Sequence, residues 1–293
     1  MQTRTLGPSG LVVGAIGLGA MPMSVKTDRP DEADSIRLLH RAAELGMTLW
    51  DTADSYCIDD TETGHNERLL GRARAALPSD LREQVVIATK GGHIRPGGSW
   101  DTDGRPEHLR AAVDASLRAL NTDVIDLYQF HRPDPKVPFA DSVGAVAEAL
   151  QAGKVRFVGL SNVSGAQIEE ALKIVPVVSV QNQYSPTHLQ PEHDGSLEKC
   201  RELGLAFLPW SPLGGMGGAK DIGKTGALLA IASELGVSPQ RIVLAWLLQK
   251  YDNLIPIPGA SRVASIEDSV RATEVKLSPE QVEALNADFA TQS

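Results

Sequence analysis

Four side chains of different chemistry follow short apolar runs: Asp51 after residues 47–50, Tyr56 five residues later, Lys90 after residues 85–89 and His131 after residues 124–130. A buried strand that stops on a polar residue delivers it to the rim of a sheet, where binding loops sit. Each residue has an ordinary explanation on its own. Asp51 could cap the backbone N–H groups of its loop, and Lys90 could be a solvated lysine or a phosphate ligand. Together they suit one chemistry. Hydride arriving at a carbonyl carbon builds negative charge on oxygen, and a proton must meet it. A phenol, with a pKa of about 10, is a weak acid at neutral pH until its anion is stabilised. A nearby ammonium is expected to pull that pKa down, and a carboxylate keeps the ammonium charged and placed. An imidazole adds a second group to orient the carbonyl oxygen.

The elements that would position these groups form a regular series. Residues 3–13, broken at Gly7-Pro8-Ser9-Gly10, read as a β-hairpin. Apolar strands follow at 15–18, 48–50, 85–89, 124–130, 155–160, 177–180, 205–209 and 254–257, each leading to an amphipathic helix. Start signals include Pro30-Asp31-Glu32, Ser238-Pro239, and the capping boxes Ser164/Gln167 and Ser278/Gln281. Eight such units without a linker predict one (β/α)8 TIM barrel domain over 1–293, with an N-terminal hairpin and function at the C-terminal strand ends. A doubly wound open sheet is the alternative fold. The strand ends read Asp51, Lys90, His131, Ser161-Asn162, Gln181-Asn182, Trp210-Ser211 and Pro258-Gly259, a polar set for which a core has no use.

Composition narrows the function classes. The 293 residues are 42% hydrophobic with net charge −9, which argues against nucleic acid or a polybasic membrane patch as partner. No apolar run reaches the roughly 18 residues of a membrane span. The two cysteines, Cys57 and Cys200, have no metal-ligand spacing, and neither do the seven histidines, so no metal is expected. A cytoplasmic protein is expected, with a monomer favoured.

Leu49-Trp50-Asp51-Thr52-Ala53-Asp54-Ser55-Tyr56, followed by Asn66-Glu67-Arg68-Leu69-Leu70-Gly71, resembles the signature of the aldo-keto reductase family. So do Ala88-Thr89-Lys90, Asp126 to Pro133, Gly153 to Asn162, Gln181 to Tyr184, Trp210 to Gly214 and Ile257-Pro258-Gly259, in order along nearly the whole chain. The C-terminal half is similar to bacterial members that include pyridoxal reductases, which makes a small aromatic aldehyde a reasonable test compound. The resemblance implies an oxidoreductase that reduces aldehydes or ketones with NADPH held extended on the barrel. It implies Tyr56 as general acid, Lys90 and Asp51 tuning it, and His131 orienting a small carbonyl substrate. Ser161, Asn162 and Gln181 would hold the nicotinamide carboxamide, and Trp210 the ring. Ser211, Leu213 and Gly214 would meet the pyrophosphate, and Gly259, Ser261 and Arg262 the adenosine 2′-phosphate. Some members carry a Lys and an Arg at this last place, whereas Ser265 stands near the usual Arg here; NADPH is favoured, and NADH stays possible. Cys57 replaces a common Gly and is expected to alter the pocket mouth. The chain ends soon after its last helix, so no long tail is expected over the pocket.

Three rivals remain. Gly218-Ala219-Lys220-Asp221-Ile222-Gly223-Lys224-Thr225 fits the P-loop pattern, but a P-loop leaves its strand almost directly, and residues 210–217 intervene. A Schiff-base aldolase using Lys90 would leave Trp210 to Gly214 without a task. A cofactor-binding sensor module, as in the potassium-channel β-subunits that resemble this family, is the third; the chain lacks an inactivation-like N-terminal extension. Gly14 to Gly19 lacks the third Gly of a dinucleotide fingerprint, and His93 or His188 is expected to line the substrate pocket.

Overall fold

Thr3–Thr5 (β1) and Val12–Gly14 (β2) pair antiparallel, Thr3 opposite Gly14, as the hairpin signal predicts. The computed structural model describes residues 1–215, 218, 222 and 226–291. From Leu18–Gly19 (β3) it alternates strand and helix: Glu32–Glu44 (α1), Leu49–Asp51 (β4), His65–Ala75 (α2) with the short Ser79–Gln84 (α3), and Val86–Gly91 (β5). A small hairpin, His93–Ile94 (β6) with Asp101–Thr102 (β7), precedes Pro106–Leu120 (α4), Ile125–Phe130 (β8), Phe139–Gln151 (α5) and Val155–Ser161 (β9). Then come Gly165–Leu172 (α6), Val177–Gln181 (β10), Ser196–Leu203 (α7), Ala206–Phe207 (β11), Gly226–Leu235 (α8), Pro239–Lys250 (α9), Val263–Val270 (α10) and Pro279–Ala290 (α11).

Local chemistry starts these helices where the sequence says it should. The Asp31 carboxylate accepts from the Asp34 N–H, and both capping boxes form, at Ser164/Gln167 and Ser278/Gln281. Buried Leu109, Ala112, Val113, Ser116 and Leu120 fall at three- and four-residue spacing, so α4 lays one stripe on the sheet. Among the described residues no single helix is long and apolar enough to cross a membrane; α8 and α9 reach that length only as a pair bent by 100°.

Seven strands form one parallel sheet in the order β11-β10-β9-β8-β5-β4-β3. Residues 254–259 close it into the expected (β/α)8 barrel. Ile255 and Ile257 donate to Phe207 and Pro209 at 2.8 and 3.1 Å on one side. On the other, Gly17 and Gly19 donate to the carbonyls of Pro256 and Pro258 at 2.9 and 3.0 Å. The strand expected at 254–257 is reduced to isolated bridges for a simple reason. Pro256 and Pro258 face β3 without an N–H, so that ladder runs in one direction only.

Period-two alternation sorts the side chains of each strand. Trp50, Ile87, Tyr128 and Phe130 point outward under the helices. Leu49, Val86, Ala88 and Leu127 point inward with Val178, Leu208, Ile255 and Ile257. Two residues further along the same inward rows stand Asp51, Lys90 and Gln129. The interior is therefore apolar at the bottom and polar at the top.

Leu6, on the hairpin, plugs the bottom with no exposed surface, packing in the same cluster as Leu49, Val178 and Ala206. Gly7 beside it has φ +53°, and a Cβ there would stand 2.2 Å from the Val178 carbonyl oxygen. Leu6→Ala is expected to cost about 2–5 kcal/mol in urea unfolding, because the rigid strand ends cannot collapse into the void. An unchanged midpoint would show that the plug lies outside the cooperative core.

Candidate active site

Lys90 is wholly buried, and each of its three N–H groups has a partner: Asp51 Oδ1 at 2.8 Å, the Thr52 carbonyl at 2.8 Å and the Tyr56 hydroxyl at 3.1 Å. The second Asp51 oxygen accepts from Gln181 Nε2 at 2.7 Å and, at 3.4 Å, from Gln129 Nε2. Because the Tyr56 oxygen accepts from Lys90, its own proton is left for another acceptor. His131 packs edge-on to the phenol with ring centroids 5.8 Å apart, and its Nδ1 has no partner among the described residues. The four residues expected to work together are thus assembled from β4, β5 and the segments that follow β4 and β8.

Electrostatics within the group follow from burial and the one fixed cation. Burial pulls the Lys90 ammonium down, but Asp51 and Tyr56 more than offset it, so its pKa is raised and the charge is retained. For Tyr56 burial is the largest effect and raises the phenol above its ordinary value of 10.0, outweighing Lys90. Lys90 does pull the phenol down as expected, but burial outweighs it and the net shift is upward. A dry site favours the neutral phenol, and the Asp51 charge adds to that. His131 is driven well below 6.5, by burial first and then by His93, Lys90 and Arg132, so its imidazole is neutral at neutral pH.

The loop carrying Tyr56 is stapled from beneath. Asn66 at the start of α2 donates to the Ala20 carbonyl at 3.0 Å and Ser24 Oγ at 2.7 Å, and accepts from Thr52 Oγ1 at 2.6 Å. Cys57, expected at the pocket mouth, is instead fully buried, and its thiol donates to the Ser55 carbonyl at 3.4 Å. Burial pushes that thiol up to about 11. Two further buried acids escaped sequence reasoning. Glu67 accepts from Thr89 Oγ1 at 2.5 Å, and burial followed by the Glu67 charge raises Asp54 well above the carboxylate range. An acid on the buried face of α2, with Leu70 three residues on, was the available signal.

The β6–β7 hairpin adds side chains that the sequence shows only as part of a Gly/Pro-rich loop. The Trp100 ring stands 6.5 Å from Tyr56 and 5.5 Å from His93, with the Arg95 guanidinium 4.0 Å over its face. His93 packs 4.3 Å from His131.

The residues expected to meet the cofactor form a rim and a separate patch. Ser161 Oγ donates to the Gln181 carbonyl at 2.8 Å, and Asn162 Nδ2 donates to the His131 carbonyl at 2.9 Å. Trp210 Nε1 donates to Asn162 Oδ1 at 3.2 Å. Asn162 and Ser211 have φ of 58° and 50°, and Gly214 follows at 83°; Leu213 packs partly buried against the core. Gly259 bridges Gly19, and a Cβ on it would meet Pro22 at 2.9 Å. Ser261 and Arg262 are exposed, with Arg262 at the N-cap of α10. The P-loop-like stretch 218–225 lies outside the described residues except for Gly218 and Ile222. No group of three His, Cys, Asp or Glu side chains among the described residues could hold a metal ion.

Comparison with known proteins agrees with this geometry. Residues 15–287 match the model of the Aldo/keto reductase family. Uncharacterized oxidoreductase C215.11c of Schizosaccharomyces pombe is 37% identical over 284 residues, which cover 95% of this chain and 88% of that protein. Among solved structures, the thermostable aldo-keto reductase Tm1743, in complex with the inhibitor epalrestat, superposes with TM-score 0.81 at 32% identity, covering 98% of this chain and 99% of that one. The holo form of aldo-keto reductase AKR11C1 from Bacillus halodurans gives 0.78 at 27%, covering 100% and 97%. With a barrel of this topology, a site of this composition and matches along nearly its full length, the chain belongs to the aldo/keto reductase family of oxidoreductases.

Proposed function

We propose that the protein reduces aldehydes or ketones to alcohols, reversibly and with NADPH, and that Tyr56 supplies the proton. The observation that carries this is the Lys90 ammonium, whose donors on Asp51, Thr52 and Tyr56 leave one phenolic proton uncommitted beside a neutral imidazole.

The side chains present fit a dinucleotide phosphate. Ser161, Asn162 and Gln181 offer amide and hydroxyl groups for the carboxamide, and Trp210 offers a ring face for the nicotinamide. The left-handed backbone at Ser211 and Gly214, beside Leu213, leaves close approach for a pyrophosphate. Gly259, Ser261 and Arg262 stand at a helix N-terminus, where N–H groups and the helix dipole favour an anion. The Arg262 guanidinium adds charge there, which favours the 2′-phosphate of NADPH over NADH. When bound, the cofactor supplies the hydride.

The chain's own part is proton supply and charge control. His131, neutral, orients the carbonyl oxygen without placing a second positive charge next to Lys90. As negative charge builds on that oxygen, the Tyr56 hydroxyl gives up its proton, and the ammonium already in contact with the phenol oxygen stabilises the phenolate. Asp51 does not touch the substrate in this scheme; with Gln181 and Gln129 it fixes Lys90. The raised pKa keeps Tyr56 fully loaded at neutral pH, and the local Lys90 charge makes its release possible at the moment of transfer.

Tyr56→Phe is expected to retain NADPH binding in a fluorescence titration and to lose about 10²–10⁴-fold in aldehyde reduction; undiminished turnover would remove Tyr56 from the proton step. For pH, Tyr56 must be protonated with a pKa above 10.0, and His131 neutral with a pKa well below 6.5. Activity is therefore lost only as pH rises past the first or falls past the second, and kcat/KM for reduction should be level between them. An acid limb centred near 6.5 would show His131 titrating as an ordinary imidazole. Arg262→Gln should weaken NADPH by about tenfold or more and leave NADH nearly unaffected in the same titration. Equal losses for both would place Arg262 away from the 2′-phosphate.

A further inference from the structure

Next to the His131 backbone, to which Asn162 donates, lies a cleft of about 260 Å³ whose walls include Arg132, Asn162, Asn182, His188, Asp194 and Trp210. Among the described residues lining it, Arg132 is the one side chain with a permanent positive charge. The acid opposite is engaged in its own loop, where Asp194 Oδ1 accepts from the Ser196 N–H at 2.9 Å.

Arg132 is half-buried and directly follows His131 in the chain. Its Nε donates to His93 Nε2 at 3.2 Å, and His93 Nδ1 lies 3.0 Å from the Asp101 carbonyl. His93 is therefore the neutral tautomer with its proton on Nδ1, wedged between the rings of His131 and Trp100. This contact fixes the arginine while using only one of its donors. Neither Nη group has a hydrogen bond or ion pair among the described residues. Other guanidinium groups close on carboxylates, as Arg29 does on Glu62, Arg72 on Glu32 and Arg110 on Glu148, or on backbone carbonyls, as Arg4 and Arg95 do. Burial pulls the Arg132 guanidinium below its ordinary value, and no acid opposes that pull. Holding a desolvated cation without an anion costs free energy, and such a group is characteristic of a binding site.

We propose that Arg132 selects carbonyl substrates that carry an anionic group, a carboxylate or a phosphate, which its free guanidinium fork binds beside the reacting centre. The proposal rests on the reductase function above for the word substrate, but not for the anion site itself. Arg132 lines the cleft with Asn162 and Trp210, so an anionic group on a substrate bound against them would meet a fork suited to two parallel N–H···O bonds.

Two measurements test it. Tryptophan fluorescence of the NADP⁺-loaded protein is titrated with benzoate, phenyl phosphate and uncharged benzamide. The two anions should bind saturably and benzamide should not, and whichever anion binds tighter identifies the preferred group. Arg132→Met should weaken anion binding by about ten- to a hundredfold, and Arg132→Lys by less. In turnover, the ratio of kcat/KM for 4-carboxybenzaldehyde to that for methyl 4-formylbenzoate should fall by a similar factor in Arg132→Met. If Arg132 only supports His93, both aldehydes lose equally and the ratio stands, which overturns the proposal, as does anion binding that Arg132→Met leaves intact. Arg132-dependent anion binding with no reduction of either aldehyde would instead sink the reductase function and leave the anion site standing.

Discussion

A lysine ammonium shut away from water holds this structure's active end together. Removing such a charge from solvent costs several kcal/mol, and the cost is offset only if every donor is satisfied. Lys90 meets that condition with no donor to spare, through a carboxylate, a backbone carbonyl and a phenol. The requirement propagates outward. Asp51 must sit on the neighbouring strand, which the β4–β5 register arranges by setting Asp51 opposite Ala88. The Thr52 carbonyl must turn inward, and its side chain is held by Asn66 of α2. Gln181, across the barrel on β10, must present its amide to the second carboxylate oxygen. One buried charge thus ties together β4, α2 and β5 with β10 on the far side of the barrel.

The barrel can tolerate this because polarity is confined to one end of its interior. Alternation carries each inward row from Leu49, Val86 or Leu127 at the bottom to Asp51, Lys90 or Gln129 at the top, and the hairpin seals the apolar end with Leu6. A polar group at the sealed end would have neither water nor a partner. The top is also where loops can differ without disturbing the ring. Closure through Pro256 and Pro258 fits the same division: the last segment donates to β11 and accepts from the first strand region, so the ring is complete with fewer bonds.

Much of this was legible from local signals. Strand ends announced Asp51, Lys90, His131, Ser161 and Gln181, because an apolar run that stops on a polar residue has a single structural meaning in a repeating βα chain. Caps at Asp31, Ser164 and Ser278 depend on neighbours within three residues and appeared as expected. What stayed hidden depends on partners distant in sequence. Trp100 belongs to a hairpin of two-residue strands, too short to leave a period, and its place against Tyr56 is set by tertiary contact alone. Cys57 looked like a mouth residue from its position after Tyr56, but the turn made by the Tyr56 and Cys57 N–H groups points the thiol inward. The net upward shift of Tyr56 is not legible because the sequence shows the ammonium and not the degree of burial that opposes it.

The site therefore has two parts with different physical roles that share an electrostatic boundary at His131. The Tyr56–Lys90–Asp51 side is held by strand ends and has no unsatisfied charge. The His93–Arg132–Trp100 side sits on a short hairpin and a loop, and among the described residues neither Arg132 nor Arg95 there is paired with an acid. His131 feels both: Lys90 and Arg132 each push its pKa down, on top of burial and His93. Its neutrality is a joint product of burial, His93, Lys90 and Arg132. An anion placed beside Arg132 would offset part of that push and bring the imidazole back toward its ordinary pKa. In the proposed scheme, recognition at the mouth and proton delivery at the strand ends are coupled through this single ring.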